Sequence, residues 1–384
     1  MVETPVRHAE VRVDLTAIRD NVATLAAHAP GAAVMAVVKA DGYGHGLIPS
    51  ARAAVAGGAS WLGTAVLTEA LMLRRAGIRT RTLCWLAAPG ENWDAAIEAD
   101  IDVTASAGWA VEEISASAER VGRPARLHLK VDTGLGRNGA TVQDWPALVD
   151  AALKAQADGL VELVGLWSHF ALADAPGHPI IALQLDVFRE AVALAESRGA
   201  RPEVRHLANS AATFTLPNAH FDLVRPGISV YGLSPIPQEA TPAELGLRPA
   251  MSVRARLANV KRVPAEHGVS YGHEYVTAHD TTLGLVPLGY ADGIPRHAGN
   301  RAPMLAAGAV RPIAGRVCMD QIVVDLGDDQ AAAGDEVVLF GDGSYGEPLA
   351  EDWAVASGTI SYEIVTRMAP RLPRRYIGAA EVGA

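Results

Sequence analysis

Cysteine is nearly missing: Cys84 and Cys318 are the only two in 384 residues, and they lie far apart. Two thiols cannot staple a disulfide framework, so a reducing, cytoplasmic setting is expected, although a single Cys84–Cys318 bridge is compatible with the sequence. Basic charge is in deficit. Lys and Arg number 33 against 43 Asp and Glu, a net charge of -10, which repels polyanions and points to a small-molecule ligand rather than nucleic acid. Long apolar runs are missing as well. Residues 1–12 are charged and hold no apolar core of a signal peptide, and no later run is of membrane-spanning length, so no membrane association is expected. His267, His273 and His279 share no tight ligand spacing, so no metal site is expected.

What is present is an ordinary globular composition, 49% hydrophobic and 20% charged, long enough for two domains. Glu10 to Asp14 reads as a short strand, and Leu15 to His28 as a helix with Leu15, Ile18, Val22 and Leu25 on one face. Compact apolar runs then alternate with Ala-rich amphipathic segments. The runs are the one ending at Lys39, then 61–66, 80–86, 101–104, 125–131, 161–167, 203–207 and 221–225. Eight β/α units predict an α/β fold in which residues 1–240 form a (β/α)8 TIM-like barrel. The Pro-rich stretch from Pro235 reads as a boundary. Residues 241–384 follow as a mainly antiparallel β domain, with runs at 252–263, 281–287, 322–326 and 336–340 and one helix at 349–357.

In parallel α/β folds chemistry gathers at the C-terminal ends of the strands. The residues expected there are Lys39, Ala65, Trp85, Thr104, Lys130 with Asp132, His169, His206 with Asn209 and Ser210, and Arg225. Val34, Val37 and Val38 make the strand before Lys39 apolar, and an amine leaving an apolar wall loses its charge more readily than one in water. Lys39, Lys130 and Arg225, with Arg137 close behind, suit a ligand carrying more than one negative group. Ser210 and the Gly227 and Ile228 amides suit a phosphate. A lysine nucleophile beside a phosphate cradle fits two chemistries: a Schiff-base aldolase acting on sugar phosphates, or pyridoxal phosphate held as an imine.

Eight stretches sharpen that choice: A-V-V-K-A-D-G-Y-G-H-G (36–46), L-K-V-D-T-G-L-G-R-N-G (129–139), S-H-F-A (168–171), H-L-A-N-S-A (206–211), V-R-P-G-I-S-V-Y-G (224–232), V-S-Y-G-H-E-Y (269–275), G-R-V-C-M-D-Q (315–321) and I-S-Y-E-I (360–364). In content and order they resemble the alanine racemase family, fold-type III enzymes that use pyridoxal 5'-phosphate. The resemblance implies that Lys39 bonds the cofactor and, once freed, is the base on one face of the substrate Cα. Tyr271 serves the other face. His169 and Arg225 link that tyrosine to the cofactor ring, and a guanidinium beside the ring nitrogen leaves that nitrogen unprotonated. Tyr43, Asn209, Ser210, Gly227, Ile228 and Tyr362 are implied around the cofactor. Arg137 and the backbone near Met319 are implied at the substrate carboxylate, with Lys130 and Asp320 in support; Lys130 corresponds to a lysine that members can carry as a carbamate. Asp174, Tyr290, Arg296 and Arg316 resemble the substrate access corridor.

The implied activity is interconversion of L- and D-alanine, supplying D-alanine for peptidoglycan. Tyr271 and Met319 lie in the second domain and, in the family, enter the site of the other subunit, so a homodimer with shared sites is expected. A racemase of broader choice, acting on serine or lysine, is the nearest alternative, followed by a non-catalytic pyridoxal-phosphate protein. Such proteins resemble the barrel alone and would lack the β domain. Decarboxylases of this architecture carry a Cys-Glu motif where this chain has Cys318-Met319-Asp320.

Overall fold

A computed structural model describes residues 8–381. Strand β1 (Ala9–Asp14) leads directly into the helix Leu15–His28, because the Asp14 carboxylate accepts the Thr16 and Ala17 amides and so caps the first turn. That helix buries the expected Leu15, Ile18, Val22 and Leu25.

The eight apolar runs become eight parallel strands: β2 (Ala33–Val37), β3 (Trp61–Thr64), β4 (Arg81–Cys84), β5 (Asp102–Ala105), β6 (Ala125–Lys130), β7 (Val161–Trp167), β8 (Val204–His206) and β9 (Leu223–Val224). Each pairs with its sequence neighbour, and β9 pairs with β2. Backbone bonds from Asp222 N to Arg205 O (3.1 Å) and from Arg225 N to Ala208 O (2.9 Å) close the ring between β8 and β9. Alternation sorts the side chains. Val34 and Ala36 join the large core with the outer helices, whereas Met35, Trp61, Leu83, Val164, Val204 and Leu223 fill the barrel interior as a cluster of their own.

Beyond the barrel the chain is mostly antiparallel. A six-stranded sheet runs β16-β15-β18-β10-β1-β19, using β10 (Met251–Arg256), β15 (Pro303–Ala306), β16 (Ala309–Pro312), β18 (Glu336–Phe340) and β19 (Arg374–Ile377). A three-stranded sheet orders β11 (Asn259–Val263), β14 (Thr281–Val286) and β17 (Ile322–Gly327). A ribbon of β12 (Gly268–Val269) and β13 (Tyr275–Val276) holds Tyr271 at its tip. The expected helix is present at Ala350–Ser357.

Two expectations are corrected. The run 252–263 is not one strand: it breaks at Leu257 and Ala258 into β10 and β11, which join different sheets. Residues 9–14, assigned with the barrel, pair instead with β10 and β19, because strand partnership is decided by distant segments and not by nearness in the chain.

Candidate active site

Strand β2 ends at Val37, and Lys39 opens a turn of unusual hand. Ala40, Asp41, Gly42, Tyr43 and Gly44 have φ of 55°, 52°, 62°, 52° and 80°, a left-handed run that disfavours side-chain-bearing residues by about 1–2 kcal/mol each. Surrounding groups hold it. Glu69 accepts the Ala40 amide at 2.6 Å and the Asp41 amide at 3.4 Å, and Asp41 Oδ1 accepts the Leu47 amide at 2.7 Å. His45 Nδ1 lies 3.1 Å from Gly42 O and 3.0 Å from Tyr43 O, so it carries the proton and pins the turn's carbonyls. Lys39 is thereby fixed half-buried at the barrel mouth. Burial lowers its pKa and the Arg137 charge lowers it further, against an opposing pull from Glu69.

Burial brings the His45 pKa down to about 4 despite its two carbonyl partners, and the His128 and His206 values are depressed too. The folded chain then binds fewer protons than the unfolded one below about pH 6.5. Stability is expected to be full above that pH and to fall as pH drops toward 4, with His45 alone contributing about 3 kcal/mol. Urea midpoints at about pH 7 and about pH 5 read this directly; equal midpoints would refute it.

Around Lys39 the rim is cationic. Trp167 forms its floor, with Lys130 Nζ 4.3 Å and the Arg225 guanidinium 4.9 Å from the ring centroid. Burial, with Arg225 and Arg137 nearby, brings the Lys130 pKa down to about 7. Burial also lowers Arg225, to about 9. Arg225 Nη2 donates to Ser168 O (2.8 Å), Leu207 O (3.2 Å) and His169 Nδ1 (3.2 Å). His169 must therefore present a lone pair at Nδ1 and its proton at Nε2. Burial and then the charges of Arg225, Lys130, Arg137 and Lys39 keep it neutral. Asp132 opposes the lowering of Lys130 but forms no ion pair with it. Its carboxylate is spent on the Gly134, Leu135 and Gly136 amides, shaping the loop that presents exposed Arg137.

A second group of donors lies beside Tyr43. Ser210 Oγ accepts the Gly227 amide at 2.8 Å, and Ile228 begins a 3-10 turn. A Cβ on Gly227 would sit 2.3 Å from Tyr43 Oη, so glycine is needed for the approach. The Tyr362 ring lies 6.2 Å from that of Tyr43, and burial raises the pKa of both, keeping the hydroxyls protonated as donors. Hydroxyls of Tyr43, Ser210 and Tyr362 with the amide of Ile228 form a neutral donor set beside Gly227, whose own amide is engaged on Ser210 Oγ and which leaves no room for a side chain. The donor set suits the phosphate of a group such as pyridoxal phosphate. Asn209, expected at the cofactor, caps the helix Ser210–Thr215 by accepting the Ala212 amide at 3.0 Å.

Tyr362 is the β-domain residue that reaches this region, beside Tyr43; among the described residues Tyr271 and Met319 have no hydrogen bond to the rim. Tyr271 is 71% and Met319 54% exposed. Ser270 Oγ donates to Arg316 O (2.8 Å) and lies 3.2 Å from Cys318 Sγ, tying the two segments together. Exposed Tyr290 belongs to the same surface, its amide on Cys318 O, while Arg316 pairs with Glu274. Asp320 pairs with Arg371, which also holds Asp292. Of the residues expected at a substrate access corridor, Asp174 is exposed and its charge raises Tyr362 further; Arg296 is exposed near Glu274.

Sequence reasoning missed Glu69 and Trp167. A glutamate early in a helix looks like any surface carboxylate, whereas Trp167, the last residue of its strand, could have been found as an inward-facing end. Trp85 fills the rim as expected: it covers Gly63 and lies 6.1 Å from Trp167.

The alanine racemase N-terminal domain matches residues 13–235 and the C-terminal domain residues 250–376. An alanine racemase of Frankia casuarinae is 63% identical over 365 residues, 95% of each chain. One of Streptomyces coelicolor is 61% identical over 377 residues, 97% of this chain and 96% of its own. Among solved structures, alanine racemase from Streptomyces lavendulae superposes with a TM-score of 0.96 at 61% identity over 98% of both chains. The Bacillus anthracis alanine racemase with bound L-Ala-P gives 0.86 at 34% identity, over 97% of this chain and 96% of that one. With likeness in sequence and fold running through both the barrel and the β domain, this chain belongs to the alanine racemase family.

Proposed function

We propose that this enzyme interconverts L- and D-alanine by two-base racemisation with pyridoxal phosphate, each site being completed by Tyr271 and Met319 of the partner subunit. When bound, pyridoxal phosphate would supply an electron sink that acidifies the substrate Cα–H. Lys39, its amine biased toward the neutral form, takes or returns the proton on one face of Cα. Tyr271 of the partner subunit does the same on the other face, with the His169 Nε2–H directed at its oxygen. Arg225, a donor that keeps its proton, would hold the ring nitrogen of the bound cofactor without giving it a proton, which would limit the sink and favour return of the proton to Cα. Arg137 and the Met319 backbone hold the substrate carboxylate. Tyr43 and Tyr362 crowd the Cβ end, favouring alanine over larger side chains. Lys130, with its pKa near 7, has the neutral amine that carbamate formation requires. D-Alanine made here feeds peptidoglycan synthesis.

The observation that carries the shared site is Tyr271: an aromatic side chain 71% exposed on a tight hairpin, in a chain where, among the described residues, no tyrosine is hydrogen-bonded to His169. Mixing two inactive variants tests it. Lys39→Ala and Tyr271→Phe chains, unfolded and refolded together in equal amounts, are expected to regain about a quarter of the wild-type rate, because half the dimers are mixed and each has one intact site. A tyrosine acting within its own chain predicts no recovery.

A further inference from the structure

Inside the barrel a chain of buried polar groups runs from its N-terminal end to the active rim. Asp102, the first residue of β5, is fully buried and lies with Oδ2 3.2 Å from His128 Nε2. His128 Nδ1 is 3.0 Å from His206 Nε2, and His206 Nδ1 is 3.2 Å from Arg225 Nη1. Both histidines have no exposed surface. The fold makes room for this contact. The pairing of β6 with β7 slips between Leu127 and His128, so that His128 faces Gly165, where a Cβ would lie 2.1 Å from His128 Nδ1.

The proton positions follow from the two ends. Asp102 is an anion, its pKa held down by the His128 bond and by Arg126 and Arg81 against the effect of burial, so it only accepts and His128 must carry its proton at Nε2. Arg225 only donates, so His206 must present a lone pair at Nδ1 and carry its proton at Nε2. The middle bond is then His206 Nε2–H to the His128 Nδ1 lone pair. A single arrangement of two neutral imidazoles satisfies all three bonds. The groups facing these rings agree: Arg81, Arg126, Asp102, Glu203 and the ring of Trp61 around His128, and Arg225 and the stacked Trp167 around His206.

We propose that Asp102 is a positioning residue for the reaction: through His128 and His206 it sets the tautomers that offer Arg225 an acceptor at Nη1 and so aim the guanidinium at the cofactor ring. Its bearing on turnover rests on the proposed use of Arg225. Arg81 and Arg126 would suffice for a structural ion pair, and neither explains two buried imidazoles ending on the active-site arginine.

The first test needs no variant. In holoenzyme labelled with 15N-histidine, long-range proton–nitrogen correlations are expected to report Nε2–H tautomers for His128 and His206, assigned by loss of each signal in His128→Gln and His206→Gln. An Nδ1–H form or a charged ring at either position overturns the proposal. In Asp102→Asn, the His128 and His206 signals are expected to shift or split. With cofactor saturated, kcat is expected to fall about 10- to 100-fold while KM for alanine stays within about threefold, and the cofactor's visible band is expected to move. Asp102→Glu, which keeps the carboxylate, is expected to recover most of kcat. An Asp102→Asn enzyme with unchanged kcat, or one whose loss follows only reduced cofactor content, overturns the role. Absence of alanine racemisation by wild type would instead defeat the proposed function, since the tautomers are read without substrate.

Discussion

Tyr271→Phe is expected to lower kcat/KM for alanine by about 10^3-fold in both directions, while proton exchange at Cα survives for one enantiomer. The two losses must match, because L- and D-alanine have equal free energies in water and the ratio of the two kcat/KM values is bound to that equality. Exchange behaves differently. Lys39 remains able to remove and return a proton on its own face, so one enantiomer exchanges with deuterium oxide and the other does not. Removing one hydroxyl from a side chain 71% exposed in the chain leaves folding unchanged, so the loss reads chemistry and not stability. Incubating each enantiomer separately in deuterium oxide and following the Cα proton by NMR is the measurement. Two-way racemisation at the wild-type rate, or loss of exchange for both enantiomers, would sink the two-base assignment.

Lys39→Ala is expected to be the more damaging change, with racemisation and exchange of both enantiomers lost by on the order of 10^4-fold or more. The amine has two duties, bonding the cofactor and moving a proton on one face, and alanine performs neither. The fold should survive. Lys39 is half-buried at a strand's end, and the left-handed turn behind it is held by Glu69, Asp41 and His45, none of which bonds the lysine side chain. Circular dichroism matching wild type, with turnover absent for either enantiomer, is the expected result. Turnover within about 100-fold of wild type would show that another group serves that face.

Much of this architecture was legible in the chain. The eight barrel strands stand out because each is a short apolar run between glycine, proline or amphipathic helix, and burial on both faces demands such runs. Lys39, Lys130, His169 and Arg225 were found together because each stands at or just past the C-terminal end of such a run. What escaped depended on partners distant in sequence. Nothing near Glu69 announces that its carboxylate holds the amides behind Lys39. Nothing near Asp102 announces His128, 26 residues on, or His206, 78 residues beyond that. The break of 252–263 into two strands and the pairing of β1 with β10 and β19 were hidden for the same reason: hydrophobic pattern reports which face is buried, not against what.

By itself, then, the sequence determined the order of elements, the cationic rim with its lysine, and the family, because these follow from local pattern and from residues read in order. The tertiary structure alone decided the left-handed turn that sets Lys39, the tautomers of the buried histidines behind Arg225, and the separation of Tyr271 from its own barrel. Each of these depends on how far apart atoms lie in space, and folding sets that distance independently of their separation along the chain.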